Sequence, residues 1–251
     1  MSSSSVRDGI ELRDNFQLIV SEIFGPTIQG EGASIGMPTM FLRLGICNLA
    51  CDWCDTKYTW DWANYDYTKE LKRMSRQEVF NELLDKSKET PHVRRLVISG
   101  GEPMLQQSKW ESIVDKLVTD LGWKVEVETA GTIAPTERVA SLVSQFNVSQ
   151  KLEHSGNPVE KRYRPEVSRA FKNTDKATFK FVVRDVSDFE EIYAIVEGFS
   201  IELDKVFIMP EGQDPETIST RVNELVDRVV WEGYNLTTRL HVLLWGSKRG
   251  V

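Results

Sequence analysis

Three thiols carry the most specific chemistry in this sequence. Cys47, Cys51 and Cys54 are the only cysteines of the 251-residue chain, and all lie in GICNLACDWCDT. Thiols spaced x3 and x2 on one short stretch point to metal ligation or redox exchange. A zinc site would want a fourth Cys or His, and the next histidine downstream, His92, is far outside finger spacing. A CxxC redox pair would use Cys51 and Cys54 and leave Cys47 idle. Three structural thiols seldom cluster at loop spacing. A [4Fe–4S] cluster held by three thiolates uses them all and leaves one iron open, as a centre that binds a substrate or cofactor requires. No cysteine elsewhere could pair with these, so a disulfide scaffold is excluded and a reducing compartment, the cytoplasm, is expected.

Four further polar motifs end apolar runs: Ser99-Gly100-Gly101-Glu102-Pro103, ETAGT from Glu128, Ser149-Gln150-Lys151, and Met209-Pro210-Glu211-Gly212. Glycines let a backbone approach a ligand closely. A carboxylate such as Glu102 could accept hydrogen bonds from an ammonium group. The runs that must position these motifs read as strands at 16–24, 39–45, 94–99, 124–128, 147–150, 178–184, 205–209 and 239–244. Helical patterns alternate with them, at 108–121, 135–145, 187–198 and 215–232. Another begins at Ser75, whose Ser-Arg-Gln-Glu reads as a capping box. In the last helix Ile218, Val222, Leu225, Val226 and Val229 form a stripe that reads as core. Such alternation implies parallel βαβ units, an α/β fold whose ligand face lies at the carboxyl ends of the strands. The polar, aromatic stretch 61–74 reads as an insertion, and residues 1–15 as a flexible tail preceding a single domain over 16–251.

Composition narrows the class. Forty per cent hydrophobic and 27% charged residues are globular proportions, and the net charge of −7 argues against a broad nucleic-acid surface. No apolar run approaches the roughly 18 residues of a membrane span. The first residues contain no apolar core of a secretory signal. His92, His154 and His241 match no motif and read as structural.

Cys-x3-Cys-x2-Cys followed by a strand ending in GGEP resembles the radical S-adenosylmethionine superfamily. That resemblance implies a partial (β/α) barrel in which S-adenosylmethionine chelates the open iron and is cleaved on reduction. It also places Trp53 near the adenine. A second resemblance spans nearly the whole chain. EIFGPTIQGEG from Glu22, the run MFLRLGICNLACDWCDTKYTWD, GGEP, ETAGT and the terminal WGSKRGV are similar to the 7-carboxy-7-deazaguanine synthase family. An N-terminal strand extension and a C-terminal strand with its tail would then close the site. Implied with it are the substrate 6-carboxy-5,6,7,8-tetrahydropterin, loss of C6 hydrogen, contraction of the ring and release of ammonia.

The resemblance also implies site roles. Ile28, Gln29 and Gly30 match a substrate-contacting segment, and an amide such as Gln29 can both donate to and accept from a pterin edge. Arg43 matches the residue that clamps the substrate carboxylate, which suits a guanidinium fork. Ser99 matches a substrate-contacting hydroxyl, and Val251 would bring the C-terminal carboxylate to the pterin. Gly100, Gly101 and Glu102, then Ser149, Gln150 and Lys151, then Met209, Pro210, Glu211 and Gly212, match S-adenosylmethionine contacts. Gln150 stands where the family has Pro. Thr56 matches the Mg2+ ligand, with substrate oxygens and water completing the shell. A flavodoxin-like electron donor and a homodimer are implied as partners, with no nucleic acid and no membrane. Two rivals remain at this point: an activase of glycyl-radical enzymes, and a non-catalytic metal-binding module.

Overall fold

The computed structural model describes Leu12 and residues 16–251. The expected tail, residues 1–15, lies outside the described residues except for Leu12. There the N–H donates to Gln77 Oε1 at 2.9 Å and the side chain packs on the core. The chain forms one nine-stranded sheet in the order β3-β1-β2-β4-β5-β6-β7-β8-β9. The strands are β1 (Gln17–Ile28), β2 (Pro38–Leu44), β3 (Lys72–Ser75), β4 (Arg95–Gly100), β5 (Lys124–Thr129), β6 (Gln145–Val148), β7 (Ala177–Val183), β8 (Val206–Pro210) and β9 (Asn235–Leu236). From β2 to β9 all neighbours pair in parallel, whereas β1 runs antiparallel to both β2 and β3. The sheet is a partial barrel with an N-terminal hairpin-like extension.

Helices α1 (Tyr67–Glu70), α2 (Arg76–Lys86), α3 (Gln107–Thr119), α4 (Glu137–Leu142), α5 (Val159–Arg162), α6 (Pro165–Lys172), α7 (Phe189–Phe199), α8 (Pro215–Glu232) and α9 (Leu240–Trp245) connect the strands. Ser75 starts α2 with the capping box read from sequence: its side chain accepts from Glu78 N–H, and Glu78 reaches back. The apolar faces of α2, α3, α7 and α8 close on the sheet in one continuous core, with Trp110, Phe80, Phe146 and Phe181 fully buried. Among the described residues no helix is long and apolar enough to cross a membrane.

Three readings are corrected. The expected final strand, 239–244, is helix α9. Its apolar run fits either state, and only Val242 is buried, while Leu243, Leu244 and Trp245 are exposed, a one-sided contact no inner strand would show. The sheet ends instead on the two-residue β9. The insertion 61–74 is not featureless, since it forms α1 and runs into β3, which extends the sheet. Strand β6 begins two residues before the expected 147, because α4 stops at Leu142 rather than running to 145. This leaves Ser149, Gln150 and Lys151 in the loop beyond the strand.

Candidate active site

The carboxyl ends of the strands surround one cavity. The cysteine loop leaves β2 through Ile46, whose φ of 72° is sparsely allowed for a β-branched residue and turns the chain sharply into Cys47. Gly100 and Gly101 at the end of β4 let this turn in. A Cβ on Gly100 would stand 2.0 Å from Leu44 O, and one on Gly101 2.1 Å from Ile46 O. These glycines thus admit the backbone of the cysteine loop as well as lining the cavity.

The three sulfurs sit with Leu49 and Ala130 in a small apolar cluster. Burial pushes the Cys47 thiol up to about 12, and also raises Cys51, so ionised sulfur needs positive charge beside it. Each sulfur nonetheless has a donor aimed at it. Leu49 N–H reaches Cys47 Sγ at 3.4 Å, Asn157 Nδ2 reaches Cys51 Sγ at 3.2 Å, and Trp60 Nε1 reaches Cys54 Sγ at 3.4 Å. Donors to sulfur tune a cluster rather than a free thiol. This donor set fits three thiolates of an iron–sulfur centre. Thr56, beyond Cys54, places its hydroxyl 3.5 Å from Cys54 Sγ.

Beside the sulfurs, Trp53 donates from Nε1 to His154 Nδ1 at 3.0 Å. That bond leaves the proton on Nε2, which faces Val182 O at 3.0 Å and fixes the tautomer. His154 is structural, and the side chain it steadies is Trp53. Lys151 Nζ lies 5.4 Å over the Trp53 ring and donates to Ser149 Oγ at 2.8 Å. Met209, Glu211 and Gly212 also line the cavity, and Glu211 pairs with Arg221.

Three expected residues do not face it. Glu102 is fully buried behind the wall, accepting from Met104 N–H, Thr129 Oγ1 and Ala130 N–H at 2.7–3.0 Å, with its carboxyl raised by burial. There it braces the ETAGT turn. Gln150 points away toward Ser168, and Pro210 is a strand residue paired with Val183.

Ile28, Gln29, Gly30, Arg43, Ser99 and Val251 share the cavity with the thiols. Gln29 is nearly fully buried, its Nε2 donating to Glu128 Oε1 at 3.0 Å and its Oε1 accepting from Gly30 N–H. Ser99 Oγ is buried without a partner among the described residues, an orphaned donor and acceptor on the cavity wall. Arg43 Nε lies 2.9 Å from Glu22 Oε1, close enough for an ion pair but off-line for a hydrogen bond.

A charged network that sequence reading did not assign completes the wall. Lys180 on β7 is 4% exposed and holds Glu31 Oε2 at 2.5 Å and Glu128 Oε2 at 2.9 Å. Burial opposes the charge on Glu31, but Lys180 and Arg239 outweigh it and hold its carboxyl well below the usual range. Burial likewise opposes the Lys180 charge, and Glu128 and Glu31 overcome it. Arg239 pairs with Glu31 and Asp55 and donates to Gly212 O at 2.7 Å, tying together the loop after β1, the cysteine loop and the β8 loop. His241 on α9 lines the cavity with its basicity lowered by burial. Only one hint was available beforehand: Lys180 is a charge inside an apolar strand run, and such a residue needs partners.

A model of a 4Fe–4S single cluster domain matches residues 28–171. The 7-carboxy-7-deazaguanine synthase of Pyrobaculum aerophilum is 34% identical over 232 residues, covering 92% of this chain and 96% of that protein. That of Bacillus subtilis is 29% identical over 256 residues, covering 92% and 98%. The crystal structure of QueE from Escherichia coli superposes with a TM-score of 0.65 at 25% identity, over 90% of this chain and 95% of that one. Streptococcus suis SuiB, solved bound to S-adenosylmethionine, gives 0.50 at 14% identity over 76% of this chain and 47% of that one, a likeness of fold.

Proposed function

The chain belongs to the 7-carboxy-7-deazaguanine synthase family, and from that premise we propose that it converts 6-carboxy-5,6,7,8-tetrahydropterin to 7-carboxy-7-deazaguanine and ammonia as a radical S-adenosylmethionine lyase. When bound, a [4Fe–4S] cluster with S-adenosylmethionine would supply the one-electron chemistry that removes hydrogen from C6 of the pterin. This premise replaces the activase and metal-module readings.

The side chains divide the remaining work. Cys47, Cys51 and Cys54 would hold the cluster, and the N–H groups of Leu49, Asn157 and Trp60 aimed at their sulfurs would spread the thiolate charge. Trp53, steadied by His154, and Lys151 with Ser149 flank the adenosyl group, together with Gly100, Gly101, Met209, Glu211 and Gly212. Glu102 acts from behind by shaping the wall, Gln150 by packing its loop against Ser168, and Pro210 by ending β8 beside Glu211 and Gly212. Arg43 turns the two terminal nitrogens of its guanidinium to the substrate carboxylate. Ser99 gives its unpartnered hydroxyl to the pterin, Ile28, Gln29 and Gly30 frame the ring edge, and Val251 lines the cavity beside them. Thr56 contributes one oxygen to Mg2+, with the rest from substrate and water. Lys180 fixes the directions of Glu31 and Glu128, so that the pterin meets oriented acceptors rather than mobile ones. The electron comes from a flavodoxin-like donor, the enzyme is a cytoplasmic homodimer, and neither nucleic acid nor membrane is a partner.

The observation that carries this reading is a single cavity holding three donor-capped thiols, Arg43 and the orphaned Ser99 hydroxyl. The test is anaerobic incubation of reduced, cluster-loaded enzyme with S-adenosylmethionine, Mg2+ and the carboxytetrahydropterin, read by mass spectrometry. Carboxydeazaguanine is expected. Deoxyadenosine released without any pyrrolopyrimidine would overturn the assignment.

A further inference from the structure

The last three residues are held by an arrangement that reaches Arg43. Arg249 Nη1 pairs with Glu70 Oε2 on α1 at 3.0 Å, and its guanidinium carbon lies over Tyr58, 3.6 Å from the ring centre. Its Nε stands 3.8 Å from Glu22 Oε1, an ion-pair distance too long for a hydrogen bond. The same Glu22 oxygen accepts from Tyr58 Oη at 3.2 Å and faces Arg43 Nε at 2.9 Å. Gly250 takes the left-handed conformation, φ 70°, and turns the chain so that Val251 lines the cavity. One carboxylate oxygen therefore stands between the side chain that anchors the tail and the side chain assigned to the substrate carboxylate. Glu22 and Arg43 are each 19% exposed, whereas Arg249 is 46% exposed. The inner pair is shielded and the tail pair is open to solvent, so the tail anchor is the weaker, reversible contact.

We propose that Glu22 couples occupancy of Arg43 to closure of the C-terminal tail, with Arg249 and Glu22 as positioning residues. Glu22 divides its charge between two guanidinium groups and sits nearer Arg43. A ligand carboxylate arriving at Arg43 neutralises that guanidinium and competes with Glu22 for it. Glu22 is then left with Arg249 and Tyr58 as its partners, the 3.8 Å contact tightens, and residues 247–251 settle over the bound ring. A ligand with the same ring and no carboxylate leaves Glu22 where it is and the tail loose. The tail thus senses the carboxyl group and not the bicyclic ring. This rests on the proposed substrate, because it requires an anionic ligand at Arg43.

The test needs no turnover. Amide hydrogen exchange in residues 247–251 is followed in cluster-loaded enzyme with S-adenosylmethionine, alone, with 7-carboxy-7-deazaguanine, and with 7-deazaguanine. Binding of both compounds is measured separately by calorimetry. The carboxylated compound should slow exchange in the tail by roughly five- to tenfold and the other by less than about twofold, within the range of ordinary site coupling. In Glu22→Gln and Arg249→Ala the carboxylated compound should still bind while its protection of the tail disappears. Equal protection by both bound compounds, or protection that survives in both variants, overturns the coupling. If neither compound binds the wild-type enzyme, the failure lies with the substrate assignment itself.

Discussion

The cavity has two unlike walls. One is sulfur and hydrocarbon: Cys47, Cys51 and Cys54 with Leu49 and Ala130, softened by single N–H donors. The other is ionic: Lys180 and Arg239, both buried, pair with Glu31, Glu128 and the more exposed Asp55. The three thiols of the first wall come from one eight-residue stretch, 47–54, whereas the charges of the second come from the loop after β1, the cysteine loop, β5, β7 and the segment before α9. A metal centre can be encoded as spacing, because its ligands need only leave one loop at the right intervals. A buried ion network cannot, since each charge is tolerable only when distant parts of the chain deliver its counter-charge. The sulfur wall therefore depends on its ligands, and the ionic wall on completeness.

Substitutions on the two walls should fail differently. The largest effect is expected for Cys51→Ala, which removes a ligand and should abolish iron retention and turnover while leaving the sheet folded. Iron content and circular dichroism check this. Lys180→Met should instead spare the iron-binding loop and strike stability, because Glu31 and Glu128 would remain buried without their ammonium partner. A loss of about 3–5 kcal/mol is expected in denaturant unfolding at neutral pH. The sign of its pH dependence follows from Glu31, whose folded carboxyl is held below its unfolded value. Its paired charge contributes stability above the ordinary carboxylate range and loses it as pH falls. The deficit of Lys180→Met should therefore shrink on acidification, and a deficit that is constant between neutrality and pH ~4 would contradict the paired-charge account. The smallest effect is expected for Asn157→Ala, which deletes the donor to Cys51 Sγ and the acceptor of the Ala50 N–H in the same loop. Cluster loss to a chelator should speed up by about 10- to 100-fold, with the unfolding midpoint nearly unchanged.

These differences also set what could be read beforehand. The thiols, the capping box at Ser75, the stripe of α8 and the parallel strands β4, β5, β7 and β8 are local signals, and each occupies the expected place. Helix α9 could not be distinguished from a strand, because its short apolar run, 242–245, fits both periods until burial decides between them. Glu102 looked like a ligand-facing carboxylate, yet the turn it follows folds it inward onto Thr129 and Ala130. Glu31 lies in the quoted EIFGPTIQGEG segment, but neither it nor Arg239 and Lys180 gave any sign of their pairing, since what unites them is proximity. The anchoring of the tail through Arg249 was equally invisible, as Glu22, Tyr58 and Glu70 lie up to 227 positions away along the chain.

The central claim is that both walls act on one bound pterin, the sulfur wall by generating a radical and the ionic wall by orienting the ring toward it. Substrate deuterated at C6, turned over anaerobically by the reduced enzyme, tests this directly. Deuterium should appear on the 5′ carbon of the adenosyl group and be absent from the carboxydeazaguanine. Adenosyl cleavage that carries no label from C6 would contradict the account.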